Sequence, residues 1–141
     1  MGGIGETKVS LRLSSDNLDP ESVTSLLGCQ PTSSWRAGEM KFGRPAKFGS
    51  WHLRSVPLVP GDLDAQIRNL LASLSSDIAV WNDLTKHHRA DLFCGLFLTE
   101  INQGLVLSPD TMAAIAQRGL ELSLDIYGVF DTGESAGESS I

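Results

Sequence analysis

The sequence predicts an α+β domain: helices packed on one face of a mostly antiparallel sheet, loosely ferredoxin-like, in the order βαβαββαβ. Three observations carry that prediction. Strictly alternating apolar and polar residues mark strands near both ends, at 8–13 and 120–127. Between them, segments with helical apolar spacing open on capping residues and close on glycine. Finally, 141 residues at 41% apolar and 20% charged describe one ordinary globular domain, long enough to bury a core without a metal or disulfide.

Residues 1–7 read as a flexible lead-in. They hold no basic end and no apolar stretch, so they are not a secretory signal, and Glu6 stands where a myristoylation start wants Ser or Thr. In 8–13, Val9, Leu11 and Leu13 face one way and Lys8, Ser10 and Arg12 the other. Asp19 then caps a helix, Pro20 suits its first turn, Val23, Leu26 and Leu27 form its apolar stripe, and Gly28 ends it. Residues 29–49, rich in Gly, Pro, Ser and basic side chains, keep no period and predict a long, partly ordered loop. A strand follows at 50–56, with Trp51 and Leu53 on one face and His52 and Arg54 on the other, until Pro57 and Pro60 stop it.

Asp62 caps a second helix whose Leu63, Ile67, Leu70, Leu71 and Leu74 share a face. Ser75-Ser-Asp77 interrupts, and Ile78, Trp81 and Leu84 carry the stripe on to about 88, as one bent helix or two short ones. Residues 89–99 are apolar on both faces and predict a central, doubly covered strand. A turn at Asn102-Gln-Gly104 sends 105–107 back as its hairpin partner. Ser108 and Pro109 open the last helix, Gly119 closes it, and 120–127 form a strand with Leu120, Leu122, Leu124 and Ile126 inward. Lys8 and Arg12 match Glu121 and Asp125 in charge, which places the first and last strands side by side. The domain then spans 8–128, and the polar stretch 129–141 is expected to be a disordered tail.

Charge is unevenly spread. The net charge is −6, a sign that opposes general nucleic-acid and anionic-membrane binding. Yet Arg36, Lys41, Arg44, Lys47 and Arg54 face Glu39 alone, so one loop holds +4 and the rest of the chain −10. No run of 18 apolar residues crosses a membrane. Cys29 and Cys94 are the only cysteines, too few for a secreted disulfide scaffold, so a reducing cytoplasm is the expected compartment. Both read as small buried hydrophobes, with Cys94 inert in its apolar strand.

Catalytic and metal motifs are not found. His87-His88 with Asp91 is no ion site, because neighbouring helical residues point about 100° apart and no Cys-x-x-Cys accompanies them. Asp62 and Asp64 are explained by helix capping, and neither a Gly-x-Ser-x-Gly elbow nor a phosphate-binding Gly-Lys-Ser/Thr is present. No cofactor is implied.

Leu18-Asp-Pro-Glu-Ser-Val-Thr-Ser-Leu-Leu-Gly28, Pro31-Thr-Ser-Ser-Trp-Arg-Ala-Gly38 and Gly49-Ser-Trp-His-Leu53 resemble a bacterial family of small domains, domain of unknown function 4279. Asp91-Leu-Phe-Cys-Gly-Leu-Phe97 and Leu122-Ser-Leu-Asp-Ile-Tyr-Gly128 are similar to its later motifs. The likeness covers about 8–128 and implies a stand-alone bacterial domain, with no activity or site residue to carry over.

Function therefore rests on the basic loop. Trp35, Arg36, Lys41, Arg44, Trp51 and Arg54 combine aromatic and cationic side chains, the types that dominate binding hot spots. They point to a small non-enzymatic interaction domain whose partner is an acidic protein face or a small anion. Three alternatives stand beside it: a ligand-binding or enzymatic cleft under the same loop, a toxin-neutralising immunity protein, and a loop whose tryptophans merely anchor it to the core.

Overall fold

The computed structural model describes residues 3–129, in eleven elements. They are β1 (Glu6–Ser15), α1 (Pro20–Leu27), β2 (Ser33–Trp35), β3 (Met40–Lys41), β4 (Arg44–Pro45) and β5 (Gly49–Arg54), then α2 (Leu63–Ala72), α3 (Ile78–His87), β6 (Arg89–Phe97), α4 (Pro109–Gln117) and β7 (Glu121–Tyr127). Local chemistry accounts for the helix ends. Asp19 accepts a hydrogen bond from the Glu21 amide, Asp62 from Ala65, Asp77 from Ala79 and Ser108 from Thr111, each at 3.0–3.2 Å. Gly28 takes the left-handed conformation, φ 76°, that lets its N–H close α1 on Thr24 O at 2.8 Å. The 75–77 interruption resolves as two helices. Asp77 recaps the chain, and the Trp81 indole N–H donates to Ser75 O at 2.7 Å to hold the break.

Five strands form one sheet in the order β2-β5-β1-β6-β7. β1 pairs antiparallel with β5 and β6, while β6 and β7 run parallel, joined by the α4 crossover. The architecture is α+β with a mostly antiparallel sheet. Val9, Leu11 and Leu13 lie in the middle of the core with Trp51, Leu92 and Cys94, beneath Val23, Ile67, Leu71 and Trp81 of the helices. One polar network is buried and fully used: Thr7 Oγ1 donates to Gln66 Oε1 at 2.6 Å, and Gln66 Nε2 donates to Ser55 and Val56 at 2.9 Å.

Several expectations are corrected. The ordered chain begins before residue 8: Ile4 is buried, and the Gly61 N–H donates to its carbonyl at 2.8 Å. Residues 105–107 form no strand, since β1 and β7 already occupy both edges of β6. The first and last strands are not neighbours, because β6 lies between them. Their charges do share ladder rows across β6: Arg12 stands opposite Asp91, which stands opposite Glu121, and Lys8 opposite Gly95, which stands opposite Asp125. Arg12 therefore pairs with Asp91. Leu122, Leu124 and Ile126 share a face with the core residues Leu92, Cys94 and Leu96, but at the sheet edge the helices leave them exposed. The loop expected at 29–49 contains β2 and the β3–β4 hairpin, whose central Phe42 and Gly43 both have positive φ, as tight hairpin turns require. Beyond Val129, the expected tail lies outside the described residues.

Candidate functional site: the open face of the sheet

Because side chains alternate along a strand, the residues between the core positions form the opposite face of the sheet. Ladder registers order that face in rows. Trp35, Ser50, Ser14 and Arg89 make one, and Ser33, His52, Arg12, Asp91 and Glu121 the next. Arg54, Ser10, Phe93 and Ser123 follow, then Lys8, Gly95 and Asp125, then Glu6, Phe97 and Tyr127. Unlike the core side, this face is polar and partly exposed, with small residues at its centre and aromatic and charged ones around them.

Cations and rings interleave across it. Arg12 donates to both Asp91 oxygens, Nε to Oδ1 at 2.9 Å and Nη2 to Oδ2 at 2.7 Å, and lies 4.3 Å from the Phe93 ring centre. Lys8 Nζ is 5.1 Å from the Phe97 ring, which stacks flat on Tyr127 at 4.4 Å. At the β2 edge, Trp35 meets His52 edge to face at 5.3 Å, and Lys41 Nζ of the hairpin sits 4.5 Å from the Trp35 ring. Burial, reinforced by the positive charges of Arg54 and Arg12, holds the His52 imidazole below its usual range. Two hollows flank the Arg12 side chain. A polar one of about 260 Å³ is lined by Ser14, Ser50, His52 and Arg89, and a larger one of about 470 Å³ by Lys8, Ser10, Arg54, Phe93 and Phe97.

The six residues singled out from sequence part company. Trp35, Lys41 and Arg54 border the open face. Trp51 does not: it is fully buried on the core side, where its indole N–H donates to Thr24 Oγ1 at 2.9 Å. Arg36 turns to the start of α1, held by Asp19 at 2.8 Å and Glu21 at 3.3 Å. Arg44 stands exposed on the hairpin, with no ion pair among the described residues. Sequence reasoning missed Lys8, Arg12, Phe93, Phe97 and Tyr127 as site residues. The signal lay in Phe93, Gly95 and Phe97, spaced two apart and so on one face of β6. Read as simple apolarity, that run predicted a strand covered on both sides, whereas among the described residues helices cover one side only.

Potential reactive groups lie away from this face or do structural work. Cys94 is buried on the core side, and desolvation pushes its thiol up to about 12. Ser15 Oγ meets His88 Nδ1 at 2.7 Å and Asn17 Oδ1 at 3.2 Å, which ties the end of β1 to the end of α3.

Residues 5–129 match the family described as domain of unknown function DUF4279, which confirms the resemblance seen in the sequence motifs. No curated protein and no solved structure matches the chain. The family match spans every helix and strand of the fold, and the chain belongs to the DUF4279 family.

Proposed function

We propose that this domain is a non-enzymatic binding module that takes an acidic or anionic partner on the open face of its sheet, with the β3–β4 hairpin at the rim. One observation carries the reading. Lys8 and Lys41 lie over aromatic rings, Arg54 lines one hollow with Phe93 and Phe97, and none of the three has a carboxylate partner among the described residues. In a chain of net charge −6, cations without partners that share one surface favour an anion there over solvent. The working surface is thereby moved from the whole 35–54 loop to the sheet, with Trp35, Lys41 and Arg54 as the loop's contribution. The two free cysteines support a reducing cytoplasm as its compartment.

Titration with a hexaglutamate peptide, followed through backbone amide chemical shifts, tests the proposal. Shifts should cluster at 8–12, 50–54 and 93–97, and weaken as salt rises, because screening acts over about 8–10 Å. A Lys8→Glu/Arg54→Glu variant should lose them while keeping its melting temperature. Shifts confined to Arg44 and the outer loop, or none at all with either this peptide or a small organic carboxylate, would overturn it.

A further inference from the structure

Resting on that reading, we infer that the larger hollow is a site for a small aromatic carboxylate, a flat apolar body carrying one negative charge. The hollow of about 470 Å³ lies along β1 and is within the ordinary size range of small-ligand sites. Its floor is Ser10, whose cross-strand neighbours are Arg54 on β5 and Phe93 on β6. Lys8 projects from the same face two residues along, a diagonal neighbour of Arg54 at roughly 7–8 Å by strand geometry. A single anionic group can lie between them once the Lys8 ammonium leaves its place 5.1 Å over the Phe97 ring.

Phe93, Gly95, Phe97 and Pro57 supply the apolar part of the lining, beside the polar Arg12, His52 and Ser55. Gly95 stands opposite Lys8, and a Cβ there would come within 3.3 Å of Phe97 Cε1. The missing side chain leaves room there for the Phe97 ring, one face of which stacks parallel on Tyr127. Phe93 supplies a second ring and Pro57 the opposite wall. Two neighbouring carboxylates are engaged elsewhere: Asp91 holds Arg12, and Asp125 accepts the Tyr127 hydroxyl at 2.7 Å. His52, whose imidazole is held below its usual range by burial and by the charges of Arg54 and Arg12, adds a polar group to the lining.

This combination selects among anions. An acidic peptide would use Lys8 and Arg54 but leave Phe93, Phe97 and Pro57 facing water. A nucleic-acid strand would have to pass Glu121 and Asp125 at the β7 edge against the charge of the whole chain. An aromatic carboxylate matches both halves: its ring takes the face of Phe97 that Lys8 covers in this structure and packs against Pro57, and its charge lies between Lys8 and Arg54.

Amide-shift titrations of the full chain with 1-naphthoate, 1-naphthalenemethanol, acetate and hexaglutamate test the inference. Naphthoate should saturate with a Kd below about 1 mM and shift Ser10, Arg54, Phe93 and Gly95. The neutral alcohol and acetate should each bind at least about tenfold more weakly, since each lacks one half of the match. Lys8→Gln and Arg54→Gln should each weaken naphthoate by about tenfold, and Ser10→Leu, which fills the floor, should abolish its shifts. Naphthoate that fails to saturate while hexaglutamate shifts the face would overturn this inference and leave the anion-binding proposal standing. Failure of both probes would overturn both. Equal binding of the alcohol and naphthoate would overturn the ligand class by showing that the cations take no part. Lys8 and Arg54 are both exposed, so their variants should keep the wild-type melting curve.

Discussion

β1 and β7 carry the same apolar alternation and turn it toward the same side of the sheet, yet they meet different fates. Val9, Leu11 and Leu13 are at most 1% exposed, whereas Leu122, Leu124 and Ile126 are 36%, 46% and 58% exposed. The difference lies in neighbours. β1 is flanked by β5 and β6, with Ile67 and Leu71 of α2 among the residues that close its core, while β7 has β6 on one edge and, among the described residues, no strand on the other. Alternation decides which way a side chain points. Position in the sheet decides whether anything covers it.

The largest effects should come from the centre of the sheet. Trp51→Ala should cost roughly 3–5 kcal/mol, because it opens a large void and removes the hydrogen bond to Thr24. Leu11→Ala should cost about 2–5 kcal/mol and Leu124→Ala less than about 1 kcal/mol, as read from denaturant melts. Equal losses at Leu11 and Leu124 would show that β7 is covered in solution and break the comparison.

The two cysteines repeat the contrast on a smaller scale. Cys94, buried and raised to about 12, should react with a thiol reagent only after unfolding, while half-buried Cys29 should label in the native protein. Fast native labelling mapped to Cys94 by mass spectrometry would contradict its placement on the covered face.

A pH series sharpens the comparison of covered and open faces. Burial holds both His52 and His88 below the usual histidine value of 6.5, so the unfolded chain binds their protons more readily than the native one. Their contribution to stability is complete above pH 6.5 and is lost as the pH falls through the lower folded values. Melting temperature should therefore fall between about pH 7.5 and 5.5, and His52→Gln/His88→Gln should fall less. A double variant as pH-sensitive as the parent would assign the loss to other groups.

Arg44→Glu should have the smallest effect, within about 0.5 kcal/mol, because the exposed hairpin gives this side chain no ion pair among the described residues. Unfolding by this reversal would make Arg44 a structural residue. Its binding effect should also be smaller than that of Arg54→Gln, since Arg54 lines the hollow and Arg44 does not.

Sequence alone was enough for the helix ends and strand alternations, which depend on residues a few positions apart, though not for the β3–β4 hairpin or the absence of a strand at 105–107. Asp19 with Pro20 and Gly28, Asp62, Ser108 with Pro109, and the alternations in β1 and β7 are local grammars of capping and periodicity, and each yields its element. The Ser75–Asp77 break was visible, but the choice between a bend and two helices waited on Trp81 docking against Ser75. Strand order was not legible, because pairing joins residues tens of positions apart and several partners satisfy the same alternation. The charge match between β1 and β7 was real in its rows, and Asp91 on the intervening strand took the arginine. For the same reason the candidate site was only half visible. Trp35, Lys41 and Arg54 cluster in the chain, whereas Lys8, Arg12, Phe93, Phe97 and Tyr127 come from three strands and meet only on the folded sheet. Backbone periodicity is set locally by sterics and hydrogen bonding, but which faces are covered is set by how the whole chain packs.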